Sequence, residues 1–267
     1  VATLPGGVDG GKGGGLYQIS NSPNRGLTIR NTTFANNIAA EQGGGAWLYN
    51  APATITNSTF TKNRAEAGNF VGNGGAIAIL GSTSITTDIV NTTIADNFAN
   101  GLGGGVFAIN EINPQVNVKN TIFANNTVGN EFGSFPQSTR KLTDQGGNIQ
   151  WPPTNNPSDL VTDTITVADP KLGPLQNING ALVLPLLPGS AAIDGGTNAG
   201  APITDQRGAT RPVDGDGNGS VIVDSGAYEA SGSVSLAPEI EVLDNTTNIA
   251  DGTTTAIDFG TTTVGSA

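Results

Sequence analysis

The heptapeptide Asn31-Thr-Thr-Phe-Ala-Asn-Asn37 decides the fold, because close copies of it recur along the first half of the chain. Each copy begins and ends with asparagine and has Phe or Ile at its centre, and the copies occupy residues 57–63, 91–97 and 120–126. A second repeat, rich in glycine and followed by an apolar stretch, begins every thirty residues, at Gly13, Gly43, Asn73 and Gly103. Self-similarity at a fixed period is the signature of a repeat architecture, so residues 1–126 are predicted to be structural repeats.

The repeated unit predicts an all-β fold. It has two short β-like runs, glycine-rich corners and no helical periodicity, which together indicate a coil of parallel strands. One coil cannot bury its inward side chains alone, but stacked coils bury a continuous column, with neighbouring strands about 4.8 Å apart. We therefore predict a parallel β-helix with about thirty residues per coil. Its interior row should contain the central residues Phe34, Phe60, Ile94 and Phe123.

The asparagines that bound each heptapeptide are predicted to lie at bends of the coil. Asparagine tolerates a left-handed backbone, and stacked side-chain amides can hydrogen-bond along a column. The two columns are Asn31, Asn57, Asn91 and Asn120, and Asn37, Asn63, Asn97 and Asn126. Glycine at the other corner supplies a positive φ and a close backbone approach.

Three of the heptapeptides carry a family resemblance. Phe34-Ala-Asn-Asn37, Phe60-Thr-Lys-Asn63 and Phe123-Ala-Asn-Asn126, with their Gly-Gly-Ala or Gly-Gly-Val motifs, look like the FxxN and GGA[ILV] repeats of polymorphic outer-membrane proteins. Ile94-Ala-Asp-Asn97 departs by Ile for Phe, which keeps the apolar position. The resemblance implies a right-handed parallel β-helix in a surface-displayed bacterial protein, and it implies no particular activity.

The second half of the chain carries four ordered motifs. They are Ala168-Asp-Pro-Lys-Leu-Gly-Pro-Leu175, Leu184-Pro-Leu-Leu-Pro-Gly-Ser-Ala-Ala-Ile-Asp194, Thr204-Asp-Gln-Arg-Gly-Ala-Thr-Arg-Pro212 and Asp224-Ser-Gly-Ala-Tyr-Glu229. In this order they resemble the choice-of-anchor Q family, with Ala191 and Ser225 where that family usually has Pro and Ile. Members of that family are large secreted or surface-anchored bacterial proteins, some of them cyanobacterial, and the resemblance implies the same class for this chain. Residues 127–230 are predicted to form the final coils and a cap over the open strand edges.

Residues 231–267 are predicted to be a linker and a partial β segment. The stretch that begins with Ala237-Pro-Glu-Ile-Glu-Val-Leu243 resembles the first strands of choice-of-anchor D domains, which are immunoglobulin-like sandwiches. About thirty residues cannot bury a sandwich core alone, so this short β tail should pack on the coil, pair with another chain or be the stub of a cut domain. Because the sequence opens at Val1 without an initiator Met, we expect a piece of a longer chain.

Composition excludes several classes of function. The chain has no Cys and no His, which excludes thiolate and histidine metal sites and a Ser-His-Asp triad. The net charge is −11, and residues 194–267 hold eleven acids against two bases, which argues against a nucleic-acid partner. No apolar run approaches the roughly 20 residues of a membrane-spanning helix.

Asp214-Gly-Asp-Gly-Asn-Gly219 is a candidate calcium loop. Side-chain oxygens alternate along it and its sixth residue is glycine, as in the first half of a calcium-binding loop. The twelfth position is Ser225 rather than a bidentate Glu, and Asp224 precedes it. The candidate ligands of Ca²⁺ are therefore Asp214, Asp216, Asn218 and Asp224. A plain turn of Gly and Asp accounts for the same residues.

Charged residues of the predicted cap form a second candidate cluster. Asp205, Arg207 and Arg211 could make charge-assisted bonds with Asp194, Asp224 or Glu229. Both a structural ion-pair network and a carboxylate–arginine active site fit this set, and the structural network is the simpler explanation.

Aromatic residues after the glycine corners form a third candidate cluster. Trp47 and Tyr49 share one parity, and Phe107 aligns with Trp47. Facing outward, they would form a stacking platform for sugar rings, whereas facing inward they would be core.

These observations favour a non-catalytic structural or adhesive protein that is extracellular or at the cell surface, such as a stiff spacer, a matrix component or a filament subunit. Its expected partners are other copies of the chain, by head-to-tail or strand addition, or a surface polysaccharide. The alternatives are a carbohydrate-binding module and a β-helical polysaccharide lyase or glycosidase. A glycosidase needs close carboxylates, and the repeats offer few.

Overall fold

The structure, a computed structural model, describes residues 11–20, 25–68, 71–81, 85–108, 115–130, 134–232, 243–244 and 247–248. The fold is nearly all β, a parallel β-solenoid of about 4 turns with about 29 residues per turn. The predicted stack of parallel coils is therefore confirmed. Residues 1–233 form one compact unit, and residues 234–267 form a second, small one.

Each coil contributes four short strands. The first coil contains β1 (Leu16–Ile19), β2 (Leu27–Arg30), β3 (Thr33–Ala35) and β4 (Ile38–Ala39), and the second contains β5 (Ala46–Tyr49), β6 (Ala53–Thr56), β7 (Thr59–Thr61) and β8 (Arg64–Ala65). The third contains β9 (Ile77–Leu80), β10 (Thr86–Val90), β11 (Thr93–Ala95) and β12 (Phe98–Ala99). The fourth contains β13 (Val106–Ala108), β14 (Gln115–Lys119), β15 (Ile122–Ala124) and β16 (Thr127–Val128). The chain continues with β17 (Thr143–Asp144), β18 (Ile149–Trp151) and β19 (Thr166–Val167).

Strands at the same place in successive coils pair in parallel, which gives four sheets. Sheet A consists of β1, β5, β9 and β13, and sheet B of β2, β6, β10, β14 and β17. Sheet C consists of β3, β7, β11, β15, β18 and β19, and sheet D of β4, β8, β12 and β16. The sequence predicted only two β-like runs per unit, because the strands of sheets C and D have two or three residues and are too short to show an alternating pattern.

Two further strand pairs lie outside these sheets. Antiparallel β20 (Gln176–Ile178) and β21 (Ala181–Val183) form a hairpin, and in the second unit β22 (Leu243–Asp244) pairs with β23 (Thr247–Asn248). Most of the predicted immunoglobulin-like tail lies outside the described residues. Within the described ranges, no helix has the length and apolar character that crossing a membrane requires.

The predicted interior row is present in sheet C. Phe34 pairs with Phe60, Phe60 with Ile94, and Ile94 with Phe123. The rings of Phe34 and Phe60 are stacked, with centroids 4.6 Å apart and planes 6° apart. Phe60, Ile94 and Phe123 are fully buried in one core with inward side chains of sheets A and B. Each coil thus covers the apolar residue of its neighbour.

One asparagine column forms a continuous chain of side-chain amides, which we call the amide ladder: Asn37, Asn63, Asn97 and Asn126. The Nδ2 atoms of Asn37, Asn63 and Asn97 donate to Oδ1 of the next ladder residue at 2.8, 2.9 and 2.9 Å. Asn126 Nδ2 ends the ladder by donating to Oε1 of Gln137 at 2.7 Å. Buried amides are costly unless paired, so the ladder specifies the vertical alignment of the coils.

Each of the three positions at the glycine corner requires a small residue for a different reason, as Gly43, Gly44 and Gly45 of the second coil show. Gly43 has a φ of 69°, in the left-handed region. A Cβ on Gly44 would lie 2.5 Å from the backbone N of Arg64, because the corner packs directly on sheet D. A Cβ on Gly45 would lie 2.6 Å from the carbonyl oxygen of Ala76 and 3.0 Å from the Phe60 ring.

Residues 181–230, which we call the flank segment, run along the side of the coil. Gln206 Nε2 donates to Thr33 Oγ1 in the first coil at 2.7 Å, and Gln206 Oε1 accepts from Thr59 Oγ1 in the second at 2.6 Å. In the third coil, Thr93 Oγ1 accepts from the N–H of Ala227 at 3.0 Å. A cap over the end of the coil was expected, whereas the described contacts of the flank segment lie along the side of the first three coils.

The other asparagine column holds the flank segment. Asn31, Asn57, Asn91 and Asn120 have φ values of 44° to 51°, which aims them out of the bend between sheets B and C. The Nδ2 atoms of Asn57, Asn91 and Asn120 donate to the carbonyl oxygens of Thr204, Asp224 and Thr197 at 2.7, 3.1 and 3.0 Å. Sequence reasoning placed these asparagines at bends, with their amides bonded along the column, and it missed their role in holding the flank segment.

A second apolar cluster explains the position of the flank segment. Strand residues alternate between faces, so the neighbours of Ile94 and Phe123 point out of the coil. On this outer face of sheet C lie Ala95, Ile122, Ala124 and Ile149, which pack against Leu184, Leu186 and Ala192 of the flank segment. Covering this apolar face removes it from water, which is the main force that holds the segment on the side.

Candidate functional site

A buried ion-pair network joins the motifs of the flank segment. Arg207 Nη2 lies 2.7 Å from Asp205 Oδ2, and Arg211 Nε lies 3.0 Å from Glu229 Oε2. The second contact is an ion pair without hydrogen-bond geometry, whereas Arg211 Nη2 donates to the carbonyl oxygen of Gly226 at 2.9 Å. The guanidinium of Arg207 also lies 3.6 Å from the centroid of the Tyr228 ring.

Backbone N–H groups satisfy the carboxylates of this network. Glu229 accepts from the N–H groups of Val213 and Asp224 at 2.9 and 3.0 Å. Asp224 accepts from the N–H groups of Asp194 and Ala230 at 2.8 and 2.5 Å. Together with the ion pair of Arg211 and Glu229, these bonds tie together three of the four sequence motifs, so the network has a structural use that requires no substrate.

Burial shifts the pKa values of three residues in the network. Burial raises the pKa of Asp224 to about 7, and the nearby charge of Glu229 acts in the same direction. Burial also raises the pKa of Glu229 and lowers the pKa of Arg211. Asp205 and Asp224 are 0% exposed and Glu229 is 1% exposed, so a polysaccharide could not reach these carboxylates.

The candidate calcium loop brings three carboxylates together. Oxygens of Asp194, Asp214 and Asp216 lie within 4.8 Å of one another. Sequence reasoning named Asp224 in this set, but both Asp224 oxygens accept the backbone bonds of the buried network. Asp194, which was expected among the ion pairs, faces the loop, and no spacing in the sequence joins it to Asp214.

The loop residues also bond to one another. Asp214 accepts from the N–H groups of Gly217 and Gly219 at 2.7 and 2.8 Å. Asn218 Oδ1 accepts from the N–H of Ser220 at 2.8 Å, and its Nδ2 donates to Asp216 Oδ2 at 2.9 Å. Burial raises the pKa of Asp194, and the charges of Asp216 and Asp214 add to this effect. Three clustered oxygen ligands suit a hard cation such as Ca²⁺, while the N–H bonds can hold the turn alone.

The aromatic candidates lie on the outer face of sheet A. Leu48 and its inward counterparts belong to the core, so the alternate residues Trp47 and Tyr49 point outward. The ring centroids of Tyr17 and Trp47 are 4.8 Å apart, and those of Trp47 and Tyr49 are 5.6 Å apart, both pairs being stacked. Trp47 is only 5% exposed under these neighbours, whereas Tyr17 is 38% exposed.

Phe107 occupies the same row of sheet A, two coils from Trp47. Phe107 pairs with Ala78, and Ala78 pairs with Trp47. Because Ala78 separates them, Phe107 does not extend the stacked rings. The outward platform therefore consists mainly of Tyr17, Trp47 and Tyr49, all of which follow a glycine corner in the sequence.

The chain was compared with protein-family models, with curated proteins and with solved structures, and no significant match was found. The resemblances to polymorphic outer-membrane repeats and to the choice-of-anchor families remain predictions from sequence motifs. The function must therefore be argued from the geometry described above.

Proposed function

We propose that this chain is a structural or adhesive rod of an extracellular or cell-surface bacterial protein, serving as a stiff spacer, a matrix component or a filament subunit. The observation that carries the proposal is the flank segment, which bonds to successive coils along the axis. Bending or separating the coils would break contacts in the stack and on its side together. A cover of this kind suits a protein that must keep its length under load.

The buried carboxylates favour this proposal over a polysaccharide lyase or glycosidase. A glycosidase needs two carboxylates that flank the scissile bond. The buried carboxylates of Asp205, Asp224 and Glu229 are enclosed with Arg207 and Arg211. Burial in this network explains the raised pKa values of Asp224 and Glu229.

Location and assembly test the proposal. Protease treatment of intact cells that make the parent protein, followed by mass spectrometry, should release peptides of the solenoid, and native particles should be elongated in electron micrographs. Release of these peptides only after lysis would contradict a surface role. Formation of reducing ends or unsaturated sugars from a polysaccharide panel would favour the enzyme.

Carbohydrate binding on sheet A is a second candidate, favoured by the outward stack of Tyr17, Trp47 and Tyr49. Tyr17→Ala and Tyr49→Ala should each weaken retention on an immobilised surface polysaccharide, because sugar rings stack on aromatic faces. Phe98→Ala, which removes a partly exposed ring from sheet D, is the matched control. Equal retention of the three variants and the parent would remove this candidate.

A further inference from the structure

A groove of about 450 Å³ lies beside β16, the last strand of sheet D. In each of the four coils, the sheet D strand begins three residues after the sheet C strand ends. After β18, which ends at Trp151, the same spacing would start a fifth strand of sheet D at Thr154. Pro152 and Pro153 occupy the intervening positions, and they line the groove together with Thr154. The groove is thus the place that a fifth strand of sheet D would occupy.

The backbone of β16 presents hydrogen-bonding groups to this groove. The N–H groups of Thr127 and Gly129 donate to the carbonyl oxygens of Asn97 and Ala99 in the preceding coil, at 2.8 and 2.9 Å. Backbone groups of successive strand residues point to opposite sides. The N–H and C=O of Val128 therefore point away from β12, into the groove, as on any open sheet edge.

We propose that this groove binds an extended peptide segment of another protein, which pairs in parallel with β16 and completes sheet D. Strand addition to an open edge is a general mode of peptide recognition. A whole coil of a second copy could not dock here, because β18 and β19 already extend sheet C past this level. A single strand meets no such obstacle, and the volume lies within the range of about 300–1,000 Å³ that is usual for ligand pockets.

The residues around the groove define the chemistry of the bound strand. Along sheet D, the second position holds Ala39, Ala65 and Ala99, which are at most 1% exposed, and then Val128, so a small apolar residue is favoured there. Asp159 lines the groove, and its Oδ1 accepts from the N–H of Phe135 at 3.0 Å. Its Oδ2 accepts a long hydrogen bond from Thr154 Oγ1 at 3.5 Å, and a basic group of the bound strand would pair with this carboxylate.

A basic residue followed by a small one is therefore the preferred pair. Arg64-Ala65 occupies the same place in the second coil of this chain. The tail at residues 231–267 has five acids and no base, so its charge disfavours it as the occupant of a groove that contains Asp159.

Fluorescence titration with a peptide tests the proposal. The probe is the heptapeptide with the sequence of residues 61–67, Thr-Lys-Asn-Arg-Ala-Glu-Ala. The chain has two tryptophans, so Trp47→Phe leaves Trp151, which precedes Pro152 of the groove, as the reporter. We expect a saturable change in its emission. Val128→Pro removes the N–H that faces the groove and should weaken binding at least about tenfold, since proline is tolerated on an edge strand.

Matched variants separate strand pairing from other effects. Val128→Ala keeps the N–H and should bind as the parent does, with a melting temperature close to that of Val128→Pro. Asp159→Asn should weaken binding of the probe but not of its Arg64→Gln version. Unchanged affinity in a folded Val128→Pro variant, or no saturable response from the folded parent, would overturn the proposal. Displacement of the probe by a neutral oligosaccharide would overturn it too, because it would assign the groove to sugars.

Discussion

Asp224 is the buried acid whose protonation should couple most directly to folding. Its carboxylate lies among Glu229, Asp205 and Arg211, and the backbone N–H of Asp194 donates to it. Burial raises its pKa from 3.8 to about 7, so the folded chain binds this proton more tightly than the unfolded chain. The stabilising contribution of Asp224 is complete below its unfolded pKa and is lost as the pH rises through about 7.

Urea unfolding at pH 5 and pH 8, in EDTA, measures this contribution. The parent should lose stability between the two pH values, and Asp224→Asn should lose less, because its amide does not titrate. Asp163→Asn removes an acid whose side chain is 76% exposed, and it should keep the pH dependence of the parent. If Asp224→Asn and the parent show the same dependence, the carboxyl group is not protonated in the folded chain.

Asp214 provides the test of the calcium expectation. If the oxygens of Asp194, Asp214 and Asp216 hold Ca²⁺, millimolar calcium should stabilise the chain relative to EDTA by about 1–3 kcal/mol, or a few degrees in Tm. Asp214→Asn should abolish the difference, whereas Asp163→Asn, with the same net charge, should keep it. Equal melting temperatures in calcium and in EDTA would mean that N–H bonds alone hold the loop.

Within one coil, the size of the residue at the glycine corner is matched to the size of the interior residue of sheet C that it contacts. The third coil has Ala76 where the second has Gly45, and Ile94 where the second has Phe60. A Cβ on Gly45 would lie 3.0 Å from the Phe60 ring and 2.6 Å from the carbonyl oxygen of Ala76, so a smaller row residue relieves part of the crowding at a larger corner residue. The repeats thus contain a natural double substitution.

A double-mutant cycle tests this matching. Gly45→Ala should destabilise the chain by overpacking, and Phe60→Ile should do so by leaving a cavity, each by about 1–3 kcal/mol. The double variant should be more stable than the sum predicts, with a coupling energy of at least about 0.5 kcal/mol from chemical denaturation. Additive effects would show that the corner and the row do not share space.

Sequence patterns predicted the contacts that repeat from coil to coil and missed the contacts that occur at a single place in the fold. The Phe row and the amide ladder recur in every coil, so their alignment could be read from the heptapeptides. The two-residue strands of sheet D were missed because Ile38–Ala39 and Arg64–Ala65 share only the alanine. The meeting of Asp194 with Asp214 was missed because it depends on the path of the flank segment. Sequence offers one hint of the outer cluster, Ile122 where the other three heptapeptides have Thr.

For the molecule as a whole, the stack and the flank segment make unfolding cooperative in different ways. Neighbouring coils interact only with each other, so a stack alone behaves as a row of nearest-neighbour contacts. The flank segment adds bonds that reach Thr33, Thr59, Thr93 and Asn120 in four coils. The chain between residues 11 and 232 should therefore unfold as one unit even when a single coil is weakened.

Removing an amide from inside the ladder should lower the free energy of unfolding more than removing the amide at its end, because the inner amide bonds to both neighbouring coils. Asn97 Nδ2 donates to Asn126 Oδ1 at 2.9 Å and to the carbonyl oxygen of Phe60 at 3.0 Å, and its Oδ1 accepts from Asn63. Asn97→Ala leaves buried groups unpaired in both neighbouring coils and should cost about 2–4 kcal/mol. Asn37→Ala removes the first rung of the ladder, whose amide donates to Asn63 alone among the described residues, and should cost about 1 kcal/mol.

Calorimetry distinguishes a solenoid that unfolds cooperatively from one whose coils unfold independently. Both variants should melt in one transition, with the lower Tm for Asn97→Ala, because the flank segment joins the coils on either side of the defect. Two separate transitions in Asn97→Ala would mean that the coils before and after it unfold independently. Equal losses of melting temperature in the two variants would mean that the amide ladder does not couple the coils along the axis. The proposed stiffness of the solenoid would then have to come from the flank segment alone.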